Sequence, residues 1–365
     1  MTTPPTGSAH ALTPKSEHIA QLDGIRALAI CMVLVSHLVI YENYLGLRPI
    51  GLEFGQAGVS LFFVLSGYLI TRLLLREEDS RGRVSLKYFY IRRALRLFPA
   101  LLLYLSVVFA LWLCGLLPHH PWHSFASSIL YVRNIWGRGH ETDHLWSLSV
   151  EEHFYLLWPV AMLALPRRGA RRLCLALTGI GAVLAWRVTA LRAGLADEGK
   201  TYIRSDFRFD APLLGCAIAL GEHHWARAFR WFSASSVRRD IVFVSGTAIL
   251  LGWFALHAQG HGLGGVDSTL VALLGGVLLC SQIGVAAPGV TTRFLATPPM
   301  VFVGRISYGV YLWQQLFLGP RIPGLGIVRQ FPVLGLALTF VVAVLSYILL
   351  EKPLLIIKNA RFRKP

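Results

Sequence analysis

The sequence predicts an all-α fold, a polytopic membrane helical bundle of about ten transmembrane helices with a cytoplasmic N-terminus and C-terminus. Three observations lead there. The chain is 55% hydrophobic and only 15% charged, with a mean hydropathy of +0.56, whereas soluble domains carry about 25% charged residues. Apolar runs of about 20 residues recur along its length, each long enough for a hydrocarbon core of about 30 Å. Finally, the 35 Lys and Arg outnumber the 19 acidic residues, and they concentrate in alternate connecting segments. Arg76–Arg96, Arg167–Arg172 and Arg227–Arg239 fall on one side, and Arg48, Arg133, Arg138, Arg192, Lys200, Arg204, Arg321 and Arg329 are scattered on the other. This is the positive-inside pattern. It accounts for the pI of about 10.1 without nucleic acid, which is not expected as a partner. The five cysteines sit singly in separate apolar segments, so neither a metal centre nor a disulfide framework is expected.

Taken in order, residues 1–18 are rich in Pro, Thr and Ser and read as a disordered cytoplasmic tail. No basic stretch followed by an apolar core and a small-residue cleavage site is evident, so the first helix is expected to be retained. Helices are expected near 22–44, 55–75, 97–117, 145–165, 173–191, 207–221, 241–258, 266–286, 300–318 and 331–350, the sixth being short and charged at its start. The membrane domain then covers 19–353, and 354–365 forms a basic cytoplasmic tail. With no internal repeat and no sizeable soluble domain expected, the chemistry must occur within the bundle.

Polar residues inside the apolar runs mark where. Arg26 and His37 are 11 positions apart on the first helix, which returns them to within about 20° of one direction and separates them by roughly 16 Å. Asp23 lies alongside. Such groups face the interior or a wet cavity; the plain alternative is a His bonded to a neighbouring helix for packing. In the basic segment KYFYIRRALRLFP, Arg92, Arg93 and Arg96 share a helix face. The guanidinium fork suits phosphate oxygens, so a cytoplasmic phosphate-bearing ligand is one reading and topology-setting arginine at a helix entrance, with Pro99 in its first turn, is the other. Glu151 and Tyr155 share a helix side in HLWSLSVEEHFYLLWP. Glu151 is placed to orient His37 as it takes a proton, or else belongs to an interfacial belt with Trp146, Tyr155 and Trp158. Arg204, Asp206, Arg208 and Asp210 open the sixth helix as like-charge i,i+4 pairs, unfavourable unless each meets a partner elsewhere. They contact a polar substrate or pair structurally. Ser307, Tyr308, Tyr311, Gln314 and Glu351 line the same cavity or cross-link helices.

The set LDGIRALAICMVLVSH, GVSLFFVLSGYLI, YFYIRRALRLFP, HLWSLSVEEHFYLLWP, SDFRFDAPLLGCAIA, ISYGVYLW and LSYILLEKP, in that order from Leu22 to Pro353, resembles the membrane acyltransferase-3 family of bacterial O-acyltransferases acting on glycans and related acceptors. The resemblance implies His37 as catalytic base, Glu151 as its functional carboxylate, Arg26 as essential nearby, and Arg93 and Arg96, with Arg92 beside them, as ligands of acyl-CoA phosphates. Family members often carry His after YLW, where this chain has Gln314. Gln cannot shuttle a proton, so no acid–base role is expected there. No hydrolase-like domain is appended in this sequence, which makes direct transfer the simpler expectation. The expected protein is therefore an integral O-acyltransferase of the cell (inner or plasma) membrane. It would move an acyl group, acetyl in the simplest case, from acyl-CoA as co-substrate to a hydroxyl of a glycan, lipid-linked saccharide or glycosylated small molecule, with no tightly bound cofactor and no metal. The rivals are a proton-coupled transporter using Arg26, His37, Glu151, Asp206 and Asp210 as a relay, and a scaffold that binds without turnover.

Overall fold

A computed structural model describes residues 19–42, 48–118, 122–137, 139–166, 170–285, 287–319, 325, 328 and 330–356. The expected N-terminal tail and the last nine residues of the basic tail lie outside them, as do Arg138, Arg167, Arg168, Arg321 and Arg329. Among the described residues all regular structure is helical. In chain order the helices are α1 (Ala20–Glu42), α2 (Arg48–Arg81), α3 (Leu86–Leu113), α4 (Trp122–Ile129), α5 (Trp146–Leu163), α6 (Arg171–Arg192), α7 (Glu198–Ile203), α8 (Asp210–His224), α9 (Ala226–Ser233), α10 (Ser236–His257), α11 (Asp267–Gln282), α12 (Val290–Leu295), α13 (Pro298–Leu318) and α14 (Pro332–Ser346). The last continues through a π-helical turn, Tyr347–Glu351.

Every apolar run expected to be a helix is one. Six of them, α1, α2, α3, α6, α10 and the α14 segment, are long and apolar enough to cross a bilayer. The shorter or more polar α5, α8, α11 and α13 pack against them and carry many buried polar side chains. The chain is thus a multi-pass membrane helical bundle whose buried polar side chains need partners within it. Helix ends differ from expectation where polar turns continue past the hydrocarbon. With 34 residues, α2 is about 51 Å long. Because α3 starts at Leu86, Arg92, Arg93 and Arg96 lie within it, and Pro99 is internal rather than in the first turn.

Helix contacts are set by glycine, which lets backbones approach closely. A Cβ at Gly67 would lie 1.8 Å from the Pro212 carbonyl oxygen, and one at Gly215 would lie 1.9 Å from that of Val64, so α2 and α8 touch backbone to backbone. Likewise a Cβ at Gly304 would meet the Asp23 carbonyl at 1.9 Å, joining α13 to α1.

The segment between α3 and α5 is more than a connection. Its described residues fold into the bundle as α4, a turn and a 3-10 helix, His140–Leu145, whose Glu141, Thr142, His144 and Leu145 are buried. Irregular backbone at such depth needs internal partners. Buried Arg133 supplies several, donating to the Gly139 carbonyl and the Thr142 hydroxyl at 3.1 Å each, and also to the Gly137 carbonyl and the Asp143 carboxylate. Tyr104 of α3 donates to the Glu141 carbonyl (2.5 Å), Tyr311 of α13 to that of His144 (2.7 Å), and Gln315 to that of His140 (2.9 Å).

Candidate active site

Five helices converge on a cavity of about 100 Å³. Arg26 enters from α1; Phe62, Phe63 and Ser66 from α2; Arg93 and Arg96 from α3; Ser147, Glu151 and Tyr155 from α5; and Ser307, Tyr308 and Tyr311 from α13. Four residues singled out in the sequence from separate helices, Arg26, Arg93, Glu151 and Tyr308, are thereby brought together, with Arg96 beside Arg93.

The three cations are held differently. Arg26 lies 3.6 Å from Asp23, which also sits 3.6 Å from Arg305. The Arg93 guanidinium lies 3.1 Å from the centre of the Tyr155 ring and donates to Glu152 at 3.1 and 3.3 Å. Arg96 is exposed and has no carboxylate within ion-pair distance among the described residues. Below the arginines a hydrogen-bond chain has a fixed sense. Ser66 donates to Glu151 at 2.8 Å, so the short bond between Ser66 and Tyr155 must have the Tyr155 hydroxyl as donor. Tyr308 donates to the Leu97 carbonyl (2.9 Å).

His37 is half-buried on α1 and does not line the cavity. It faces His140 and His144 closely enough to feel their charges, and the His144 ring lies 5.5 Å from both Tyr104 and Tyr311. Tyr311 and Ser147, bonded to each other, separate this histidine group from the cavity. Glu151 therefore bonds Ser66 and does not meet His37 as the sequence led one to expect. The inserted 3-10 helix starts α5 deep in the bundle, carries Glu151 toward the arginines and puts His144 beside His37 instead.

The remaining candidates are dispersed. Arg92 turns away to Glu77 (2.7 Å). Asp206 pairs with Arg204 at 3.0 Å near the surface; Asp210 is buried against Arg187 (2.9 Å). Arg208 is buried behind Phe63. Gln314 is fully buried on α13 outside the cavity lining. Glu351, in the π-helical turn, accepts from Ser346 at 3.4 Å and sits near Gly309. Sequence reasoning missed Ser66, Ser147, Arg305, His140 and His144. Of these, only the lone Ser66 in an apolar run and the His144 just before WSLSVEE left any signal. Among the described residues no group of His, Cys, Asp and Glu could hold a metal ion.

A family model described as an acyltransferase domain matches residues 19–351. The chain belongs to the acyltransferase-3 family. This acyltransferase-3 chain is 28% identical over 365 residues to the peptidoglycan O-acetyltransferase OatA of Listeria monocytogenes, across 93% of the chain and 56% of that protein. It is 29% identical over 356 residues to the O-acetyltransferase OatA of Staphylococcus aureus, across 92% of the chain and 57% of that protein. It thus spans little more than half the length of these relatives. No solved structure matches it.

Proposed function

We propose that this acyltransferase-3 chain moves an acetyl or other acyl group from acyl-CoA to a hydroxyl of a cell-surface glycan. The observation that carries the reading is the convergence of Arg26, Arg93 and Arg96 on one cavity that Glu151, Ser66 and Tyr155 also line, with the Tyr155 ring against Arg93. Clustered guanidinium groups in a partly desolvated site favour phosphate oxygens. The relatives are named for O-acetyl transfer, in one case to peptidoglycan.

In this reading the phosphates of CoA rest on Arg93 and Arg96, with Arg26 adding positive field. The pantetheine arm runs past Ser66 and Tyr155 toward Ser147 and Tyr311, bringing the thioester to the layer that His37 borders. His37 takes the proton of the acceptor hydroxyl, the alkoxide adds to the thioester carbonyl, and the tetrahedral adduct expels CoA thiolate, to which the imidazolium returns its proton. Glu151 acts on the donor side, fixing the direction of the Tyr155–Ser66 chain. General-base help is worth about 10²–10⁴ in rate.

The test is transfer of labelled acetyl from acetyl-CoA to glycan fragments by the purified protein in nanodiscs, with pH-driven uptake measured in parallel vesicles. Transfer abolished in H37A supports the reading. Uptake without transfer would establish the transporter, and CoA binding without turnover the scaffold.

A further inference from the structure

Among the described residues three arginines are less than 2% exposed: Arg187, Arg208 and Arg239. Two have evident structural work. Arg187 donates to the carbonyls of Gly265 and Phe207 (2.6 Å each) and to Asp210 (2.9 Å), and Arg239 uses both terminal nitrogens on the carbonyls of Ser233 and Ala287. Arg208 is different. It is 1% exposed, its Nη2 donates to Ser60 Oγ at 2.9 Å, and its Nε and Nη1 have no acceptor. The neighbouring Asp210 is already engaged by Arg187, by Thr269 at 2.5 Å and by the Ala211 amide at 3.0 Å.

What surrounds the guanidinium is aromatic. It lies 5.8 Å from the Phe63 ring and 5.4 Å from the Tyr202 ring. Trp146 packs on both, 6.2 Å from Phe63 and 4.7 Å from Tyr202. Phe63 is at the same time a wall of the cavity, as are Ser147 and Leu148, the residues that follow Trp146. The aromatic box therefore shares a wall with the cavity but lies apart from Arg26, Arg93 and Arg96. A buried cation with unmet N–H groups is costly in a low dielectric. A hydroxyl would satisfy the N–H groups without answering the charge.

We propose that Arg208, boxed by Phe63, Trp146 and Tyr202, is a subsite for an anionic oxygen of the saccharide acceptor, a sugar carboxylate or a sugar phosphate. The guanidinium fork matches either group, and the partly exposed Trp146 and Tyr202 border it. The inference rests on the glycan acceptor proposed above and narrows it to an acidic one.

The test is binding, by saturation-transfer NMR, to the full chain in nanodiscs of neutral lipid. The probes are methyl glucuronide, glucose 6-phosphate and methyl glucoside. The wild-type protein is expected to favour at least one anion over the glucoside by about tenfold or more, and which anion it favours separates carboxylate from phosphate. R208Q removes the preference and R208K keeps part of it. Should R208Q not fold, S60A, which loses only the bond steadying the guanidinium, narrows the preference instead. Equal binding of charged and neutral probes by the wild-type protein, or a preference unchanged in R208Q or in S60A, overturns the subsite. Binding needs no turnover, so a failure of acyl transfer leaves this result standing, and an active transferase with no anion preference removes only the subsite.

Discussion

Replacing Arg96 by Gln is the sharpest probe of the donor end, because the three cavity cations have unequal partners. Arg93 is already matched by Glu152 at 3.1 Å and Arg26 by Asp23 at 3.6 Å, so removing either leaves a carboxylate behind. Arg96 has no such partner among the described residues, while Arg26 and Arg93 add to the positive field around it. Its removal takes charge away from a bound phosphate and breaks no ion pair among the described residues. A hydrogen bond to a charged group contributes about 1.5–3 kcal/mol; at about 1.4 kcal/mol per decade, R96Q should bind acetyl-CoA about 10- to 150-fold more weakly. Arg92 is the control on the same helix. It is held by Glu77 at 2.7 Å and does not line the cavity, so R92Q should change affinity by no more than about 0.5 kcal/mol. Isothermal titration of acetyl-CoA into nanodisc-embedded protein reads both variants, and added salt should weaken the wild-type complex more than the R96Q complex. Wild-type affinity in R96Q, or an equal loss in R92Q, would refute the assignment of CoA phosphates to this cluster.

Other outcomes follow from the same geometry. E151Q removes the carboxylate that directs Ser66 and Tyr155, so turnover should fall about 10- to 100-fold while titrated acetyl-CoA affinity stays near wild type. H37A should lower acetyl transfer by about 10²–10⁴ yet leave the protein in the membrane and its size-exclusion profile unchanged. In G67A the new Cβ would start 1.8 Å from the Pro212 carbonyl; α2 and α8 must part, at a cost of about 1–3 kcal/mol, seen as a lower midpoint in thermal size-exclusion. D210N breaks the buried pair with Arg187 and should cost about 3–5 kcal/mol, so the folded fraction recovered in detergent should drop sharply.

The helical frame was legible because lipid imposes it. Apolar runs of spanning length can be little else, and the expected centres of the long helices lie near those of the structure, except for α3, which starts at Leu86 rather than near 97. Their ends were not legible, since the polar turns of α2 and α3 extend beyond the hydrocarbon, where hydropathy carries no signal. The polar lining of the cavity could be read in part. Arg26, Glu151 and Tyr308 are polar groups in apolar surroundings, and burial brings such groups to one another, whereas Arg93 and Arg96 showed as one cationic helix face. The meeting of His37 with Glu151 failed for a definite reason. Arg133 reads as one of the scattered basic residues of a connecting segment, yet it is buried, as are Ser124, Ser127, Ser128 and Glu141 around it. Polar composition cannot distinguish a loop in water from one whose polar groups are satisfied internally, and the partners of Arg133 become apparent only once the chain is folded. The like-charge pattern at Arg204–Asp210 was sound as a warning: Arg204 and Asp210 found ion-pair partners, and Arg208 bonds only the Ser60 hydroxyl.

The way Arg133 holds the infolded segment has an evolutionary corollary. The framework helices answer to glycine seams, whereas the segment beside His37 is a short insert held by Arg133 together with Tyr104, Tyr311 and Gln315. A lineage could exchange residues of that insert without disturbing the seams that keep the bundle shut. Diversity among homologues should therefore gather between positions 122 and 145, around an unchanging arginine.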